Sequence, residues 1–112
     1  MKLDEIVKTL NLSVLTGAGS LDRIVEGGYV GDLLSDVMGN AEGGDLWITR
    51  QPHENIVAVA TLKDLAGIIL VQGKEPEKIA LQKAEKESIP ILVTSLSAFE
   101  ISGKLHALLE RS

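Results

Sequence analysis

The chain has 112 residues, a net charge of −5 and no cysteine; hydrophobic residues make up 45% of it and aromatic residues only 3%. This length suits one domain over residues 1–112 with one hydrophobic core, and the absence of cysteine excludes disulfides, thiol chemistry and thiolate-bound metals. The net negative charge argues against binding to nucleic acid. The acidic start at Asp4 and Glu5 does not suit a signal peptide, and no apolar run reaches the roughly 18 residues of a membrane span. We therefore expect a cytoplasmic protein that binds neither nucleic acid nor a membrane.

The first third of the chain alternates short periodic segments with glycine-rich ones. Apolar residues at helical spacing predict an amphipathic helix over residues 3–10. A short strand is expected at residues 14–15, followed by a loop at residues 16–20. Residues 23–30 are expected to be extended, with Gly27-Gly28 forming a bulge or turn.

The next segment predicts a helix and a strand. Asp32 is a suitable N-cap for a helix over residues 33–38. Gly39-Asn40 suits a helix end with a left-handed residue. Residues 45–49 then predict a strand, with Asp45 forming a turn at its start.

The segment that begins at Pro52 predicts a deeply buried helix. Pro52 suits the first helical position and Glu54 suits the first turn. Residues 56–60 are apolar nearly all round, which is typical of a buried helix. A buried strand is the alternative, because β-branched residues are frequent here.

The last third alternates strands and helices. Continuous apolar runs predict strands at residues 67–71 and 90–94, separated by a charged helix over residues 76–88. Ser97 and Glu100 form a capping box that opens a final helix. Right-handed crossovers would place these helices against the sheet. We therefore predict an α/β three-layer sandwich with a largely parallel or mixed sheet of four to five strands.

Sequence patterns of enzymes are missing. Gly17-Ala18-Gly19 lacks the third glycine and the helix of a dinucleotide loop, and Gly73-Lys74 lacks the rest of a phosphate loop. The two histidines, His53 and His106, have no partner at the spacing of a zinc motif. No nucleophile elbow is present. We expect no cofactor, no metal site and no catalysis.

One group of residues could bind an anion. In parallel sheets, ligands gather beyond the carboxyl ends of strands, and the strand that ends at Thr49-Arg50 is followed by a helix start that offers free N–H groups. Arg50, His53 and Asn55 add donors there, whereas Glu54 would repel an anion if it faced inward. The alternative interpretation of residues 49–55 is an ordinary capped helix start.

Asp22-Arg23 forms a second candidate site. It predicts either a local ion pair that fixes the start of a strand, or an exposed arginine in a ligand or subunit contact. The residues do not decide between the two.

The order of these segments resembles the DRTGG domain family over nearly the whole chain. Asp22-Arg23 matches the first pair of the family name, but Ile24 stands where a threonine would follow. Four glycines compete for the remaining name positions: Gly27, Gly28, Gly43 and Gly44. The matching segments are Leu15-Thr16-Gly17, Leu21 to Val25, Gly44 to Thr49, His53 to Ala60, Gly67 to Leu70, Ile89 to Leu92 and Ser97 to Phe99.

The resemblance implies a fold like the N-terminal domain of HPr kinase/phosphorylase. It also implies kinship with regulatory modules of phosphotransacetylases and of pyrophosphatases that carry CBS domains. The hypothesis is therefore a non-catalytic regulatory module that senses a nucleotide or phosphorylated metabolite, and the resemblance also implies a homodimer. The alternatives are an interaction or dimerisation adaptor without a small ligand, and an enzyme acting through Arg50, His53 and Asn55.

Overall fold

A computed structural model describes residues 1–111. Within that range five helices and five strands alternate along the chain. The helices are α1 (Leu3–Thr9), α2 (Leu34–Asn40), α3 (Asn55–Leu62), α4 (Lys78–Glu87) and α5 (Ala98–Arg111), and the strands are β1 (Ser13–Val14), β2 (Gly27–Val30), β3 (Asp45–Thr49), β4 (Gly67–Leu70) and β5 (Ile91–Val93). A short 3₁₀ turn at Ala18–Ser20 lies in the predicted loop.

The strands form one mixed sheet in the order β1-β5-β4-β3-β2. Only β1 is antiparallel to its neighbour; the other four strands are parallel. The predicted α/β class with a largely parallel sheet is therefore confirmed. No helix within residues 1–111 has the length and apolar character needed to cross a lipid bilayer.

Helices cover both faces of the sheet, so the predicted three layers are present. Leu46 and Ile48 of β3 pack with buried residues of α1 and α5 on one face. Trp47, between them, packs on the other face with buried residues of α2, α3 and α4. This alternation follows from the period of two in a strand. The helix predicted across residues 56–60 is confirmed over the strand alternative.

The start of α5 is also as predicted. The Ser97 amide donates to Glu100 Oε1 at 3.2 Å, and the Glu100 amide donates to Ser97 Oγ at 3.2 Å. This is the reciprocal pattern of a capping box.

The bulge predicted at Gly27-Gly28 is wrong. Both residues pair one-to-one with Asp45 and Leu46 in an unbroken parallel register. A Cβ atom on Gly28 would lie 3.2 Å from Leu105 Cδ2. The glycine is therefore explained by the close approach of α5 to this strand rather than by a distorted backbone.

Three predicted helix boundaries are also wrong. Helix α2 begins after Leu33 without a side-chain cap, so Asp32 does not cap it. The same helix ends at Asn40 before an extended residue, and neither Gly39 nor Asn40 is left-handed. Helix α3 begins at Asn55 rather than at Pro52. At Asp32 a distant contact overrides the local preference, because its carboxylate accepts from the Thr49 hydroxyl and from the Arg50 amide.

Candidate functional site

Asp32 organises the loop after β3. Thr49 is 2% exposed, and its hydroxyl donates to Asp32 Oδ1 at 2.8 Å. The Arg50 amide donates to the same carboxylate oxygen at 2.8 Å. The Thr49 hydroxyl and the Arg50 backbone amide, both within the predicted site, are thus already satisfied by a carboxylate of the chain itself.

Gln51 completes this loop contact. Its side-chain amide donates to the carbonyl oxygen of Asp32 at 2.9 Å, and its backbone amide donates to Thr49 Oγ1 at 3.3 Å. Sequence reasoning missed both Asp32 and Gln51 as members of the site. The available indication was that each is the second residue after a strand whose carboxyl end lies at the same edge of a parallel sheet.

His53 and Glu54 are paired with residues of the α4 region. His53 Nδ1 lies 2.8 Å from Glu77 Oε2, and the Glu77 amide donates to the Pro52 carbonyl at 2.9 Å. Glu54 lies 3.4 Å from Lys83 Nζ. The carboxylate of Glu54 is therefore neutralised by a lysine of α4.

Two donor groups of the predicted site remain. Within the described residues, the guanidinium of Arg50 and the side-chain amide of Asn55 form no hydrogen bond or ion pair, and both residues are exposed. Asn55 is the first residue of the eight-residue helix α3, where the helix dipole favours negative charge. These groups can donate to an oxyanion without breaking an existing contact.

Arg23 fixes the turn between α3 and β4. Its guanidinium donates to Asp64 Oδ1 at 3.0 Å, to the Asp64 carbonyl at 2.8 Å and to the Leu65 carbonyl at 3.4 Å. The hydrogen bond from Arg23, with its charge, lowers the pKa of Asp64. Arg23 thus forms an ion pair, but with Asp64, 41 residues along the chain, and not the local pair that was predicted; Asp22 is exposed.

The structure does not bring the two candidate groups together. Arg23 contacts residues that precede β4, so it lies at the amino end of the parallel strands. Thr49 to Asn55 follow β3 and lie at the carboxyl end. One small ligand cannot touch both groups, because the length of the sheet separates them.

A third feature, missed by the sequence interpretation, is an apolar groove between α5 and the edge strand β2. Its volume is about 660 Å³, and its lining includes Val30, Phe99 and Leu109. Phe99 is 89% exposed and Val30 is 50% exposed. Phe99 could have been suspected from its place two residues before Ile101, since inward positions on a helix recur at three and four residues.

The structure supports no metal site in the part of the chain that it describes. No three His, Asp or Glu side chains within residues 1–111 come close enough to hold an ion.

Tyr29, on the edge strand, has a structural role: its hydroxyl donates to Asp36 Oδ2 of α2 at 2.6 Å. That hydrogen bond, followed by partial burial, raises the pKa of Tyr29 above its ordinary value.

Comparison with known proteins gives a matching family and similar solved structures. The family model described as the DRTGG domain matches residues 5–108. Among solved structures, the CBS and DRTGG domains of the regulatory region of Clostridium perfringens pyrophosphatase, complexed with the activator diadenosine tetraphosphate, are similar with a TM-score of 0.72. The two chains share 19% sequence identity, so this likeness shows a shared fold and no more.

The extent of the likeness differs between the two chains. It covers 93% of this chain and 45% of the pyrophosphatase chain, so this chain spans less than half of that length. A comparison with curated proteins gives no match.

Proposed function

Because the chain belongs to the DRTGG domain family, we propose that it is a non-catalytic regulatory module that binds a small anionic ligand, nucleotide-like or phosphate-like, beside Arg50. The family supports the regulatory role, and the solved relative is itself part of a regulatory region complexed with a nucleotide activator. The missing phosphate loop and nucleophile elbow in the sequence support a role without catalysis.

One observation carries the ligand proposal. Arg50 is an exposed cation without a partner in residues 1–111, and it precedes the helix whose first residue is Asn55. The surrounding loops are held by Asp32 and by the His53–Glu77 pair, so this donor pair is presented on a supported backbone. Preorganised donors lose less entropy when they bind a ligand.

Isothermal titration with adenine nucleotides and small phosphate monoesters tests this proposal. The wild-type chain should bind at least one of them, and Arg50→Ala should weaken binding by about tenfold, the effect of one charged hydrogen bond. Arg111→Ala removes another exposed arginine, outside the site, and should leave the affinity unchanged. Equal affinities for Arg50→Ala and the wild type would overturn the Arg50 site.

A second candidate function is self-association without a small ligand, and the α5–β2 groove favours it. Strand β2 is the edge of the sheet, and edge strands present unpaired backbone groups that can pair with another chain. Exposed Phe99 and Val30 beside that edge supply apolar area for such a contact. We expect two copies to meet along β2 and α5 in a homodimer.

Light scattering after gel filtration tests the dimer. Phe99→Asp should shift the wild-type mass toward that of a monomer, because it places a charge in an apolar contact. Leu62→Asp is the matched control, since Leu62 is 74% exposed but lies on α3, away from this groove. A monomeric wild-type chain, or equal effects of the two variants, would contradict the proposal.

A further inference from the structure

The connections of the sheet diverge between two neighbouring parallel strands. Strands β2, β3 and β4 are followed by helices that pack on one face of the sheet. Strand β5 is followed by α5, which packs on the opposite face. The loops after β4 and β5 therefore leave toward opposite faces, although the two strands are adjacent. In open α/β sheets such a switch point is where ligand crevices form.

A cavity of about 530 Å³ lies at this switch point. It is bounded by Gly73 from the loop after β4, by Thr94 and Ser95 from the loop after β5, and by Lys104 from α5. Asn11 and Ser13, at the start of the neighbouring strand β1, close its remaining side. Its volume lies within the range of roughly 300–1,000 Å³ that is usual for small-molecule sites. The predicted site at Thr49, in contrast, does not lie at a switch point. It follows β3, and both β3 and its neighbour β4 are followed by helices on the same face of the sheet.

The two loops that bound this cavity are fixed relative to each other. The Gly73 amide donates to the Thr94 carbonyl at 2.8 Å, and the Gln72 amide donates to the Leu96 carbonyl at 2.9 Å. Thr94 is 7% exposed, and its Oγ1 accepts from the Leu96 amide at 3.2 Å, which leaves its hydroxyl hydrogen free to donate. The two loops are therefore joined by backbone hydrogen bonds, which do not involve the ammonium group of Lys104 or the hydroxyl of Ser95.

The charge of the lining is opposite to that of the protein. The chain as a whole carries −5, but the lining contains one lysine, Lys104, and no carboxylate. Within residues 1–111 Lys104 forms no ion pair. Side chains on a helix lean toward its N-terminus, and Lys104 lines this cavity, which lies toward the start of α5. Hydroxyls and an unpaired ammonium group are donors suited to phosphate oxygens.

We infer that this cavity is a second ligand site that binds a small phosphate monoester, with Lys104 contacting the phosphate and the Thr94 and Ser95 hydroxyls orienting it. The inference goes beyond the proposed site at Arg50 and uses none of its residues. Gly73 is suited to the rim because it has φ +66° and no atom lies within 4 Å of an added Cβ. A side chain at this position would project into open space in the cavity.

Amide chemical-shift mapping by NMR on the whole chain tests the inference, with glycerol 3-phosphate and inorganic phosphate as probes. Glycerol 3-phosphate should shift the amides of Gly73, Thr94 and Ser95. Lys104→Ala should weaken binding by at least tenfold, whereas Lys104→Arg should keep it. Gly73→Asn should block the cavity while keeping the fold, because asparagine tolerates a positive φ.

The outcomes separate the two sites. Shifts that centre on Arg50 to Asn55, lost in Arg50→Ala and kept in Lys104→Ala, would overturn the second site and support the proposed function. Shifts at Gly73 to Ser95 that persist in Arg50→Ala would support the second site irrespective of the first. No shift at residues 73–104 with either probe at about 10 mM, where a site with a millimolar Kd is mostly occupied, would also overturn the inference.

Discussion

At the scale of single residues, one carboxylate and one guanidinium determine the loop structure at the two ends of the sheet. Asp32 accepts from Thr49 and from the Arg50 amide at the carboxyl end. Arg23 donates to Asp64 and Leu65 at the amino end. Arg23 is a candidate for function in the sequence and Asp32 is expected there only as a helix cap, but both are occupied by contacts within the chain. Their removal should therefore affect stability before it affects binding.

Replacing Asp32 with alanine should destabilise the protein by about 1–3 kcal/mol, because the buried Thr49 hydroxyl would lose the acceptor of its hydrogen. Asp22→Ala is the matched control, since Asp22 is exposed and forms no hydrogen bond within residues 1–111. It should change the free energy of unfolding by less than about 0.5 kcal/mol. Urea unfolding measures both values, and equal effects of the two replacements would contradict the role of Asp32.

The Arg23–Asp64 pair predicts a dependence of stability on pH. Because Arg23 lowers the pKa of Asp64 in the folded state, the charged carboxylate contributes stability above its ordinary pKa of 3.8. That contribution is lost as the pH falls through the lower folded-state value. Asp64→Asn keeps the left-handed backbone at φ 55°, so it removes mainly the charge.

Comparison of the wild type with Asp64→Asn at several pH values checks this prediction. The urea midpoint of the wild type should exceed that of Asp64→Asn at pH 7. The difference should shrink as the pH is lowered below 3.8. A difference that stays constant from neutral to acidic pH would show that the ion pair is not its cause.

At the scale of elements, the short strand β1 depends on a buried threonine that follows it. Thr16 donates to the Ile89 carbonyl at 2.8 Å and accepts from the Ile91 amide at 2.9 Å. One hydroxyl thus satisfies two backbone groups next to β5. Strand β1 pairs with β5 through only two residues, which is too short to hold an edge strand in place. The Thr16 side chain therefore lengthens the contact between the two strands.

Replacing Thr16 with valine keeps the shape but should cost about 2 kcal/mol or more, because two buried backbone groups lose their partner. Thr16→Ser retains the hydroxyl and should cost less. Thr9→Val on the exposed side of α1 is the control for the change of residue type. If Thr16→Ser were as destabilising as Thr16→Val in urea unfolding, the hydroxyl would not be the cause.

At the scale of the whole molecule, one sheet separates two apolar cores. Ile68 belongs to the core under α2, α3 and α4, whereas Ile69 belongs to the core under α1 and α5. Both residues are fully buried in the central strand β4. Since each core rests on the other face of the same strands, neither can persist once β4 loses its pairing. The two cores should unfold together.

Ile68→Ala and Ile69→Ala should each cost about 2–5 kcal/mol. The fluorescence of Trp47 reports the core that contains Ile68, and far-UV circular dichroism reports all helices. In Ile69→Ala the two probes should still give the same midpoint, although the replacement lies on the other face. A fluorescence transition that occurs after the loss of ellipticity would show that the cores unfold separately.

Local patterns in the sequence determined most of the elements, the class of the fold and the family. An apolar run bounded by glycines marked β4, and an apolar run that opens at Pro90 marked β5. Helical spacing marked α1, and the Ser97–Glu100 capping box marked the start of α5. These features depend on residues a few positions apart, whose geometry follows from the periods of strands and helices. The same local rules failed at Asp32 and Gly28, where a distant partner decided the outcome.

Only the tertiary structure decided which polar groups share a surface. The sequence indicated Asp22-Arg23 and Thr49 to Asn55 as candidates, but their spacing along the chain contains no information on which end of the sheet each occupies. Their separation follows from the contact of Arg23 with the turn before β4, 41 residues away along the chain. The cavity beside Lys104 likewise exists because α5 crosses to the other face of the sheet. Burial of two apolar cores fixes that crossing, and the cores are properties of the whole chain.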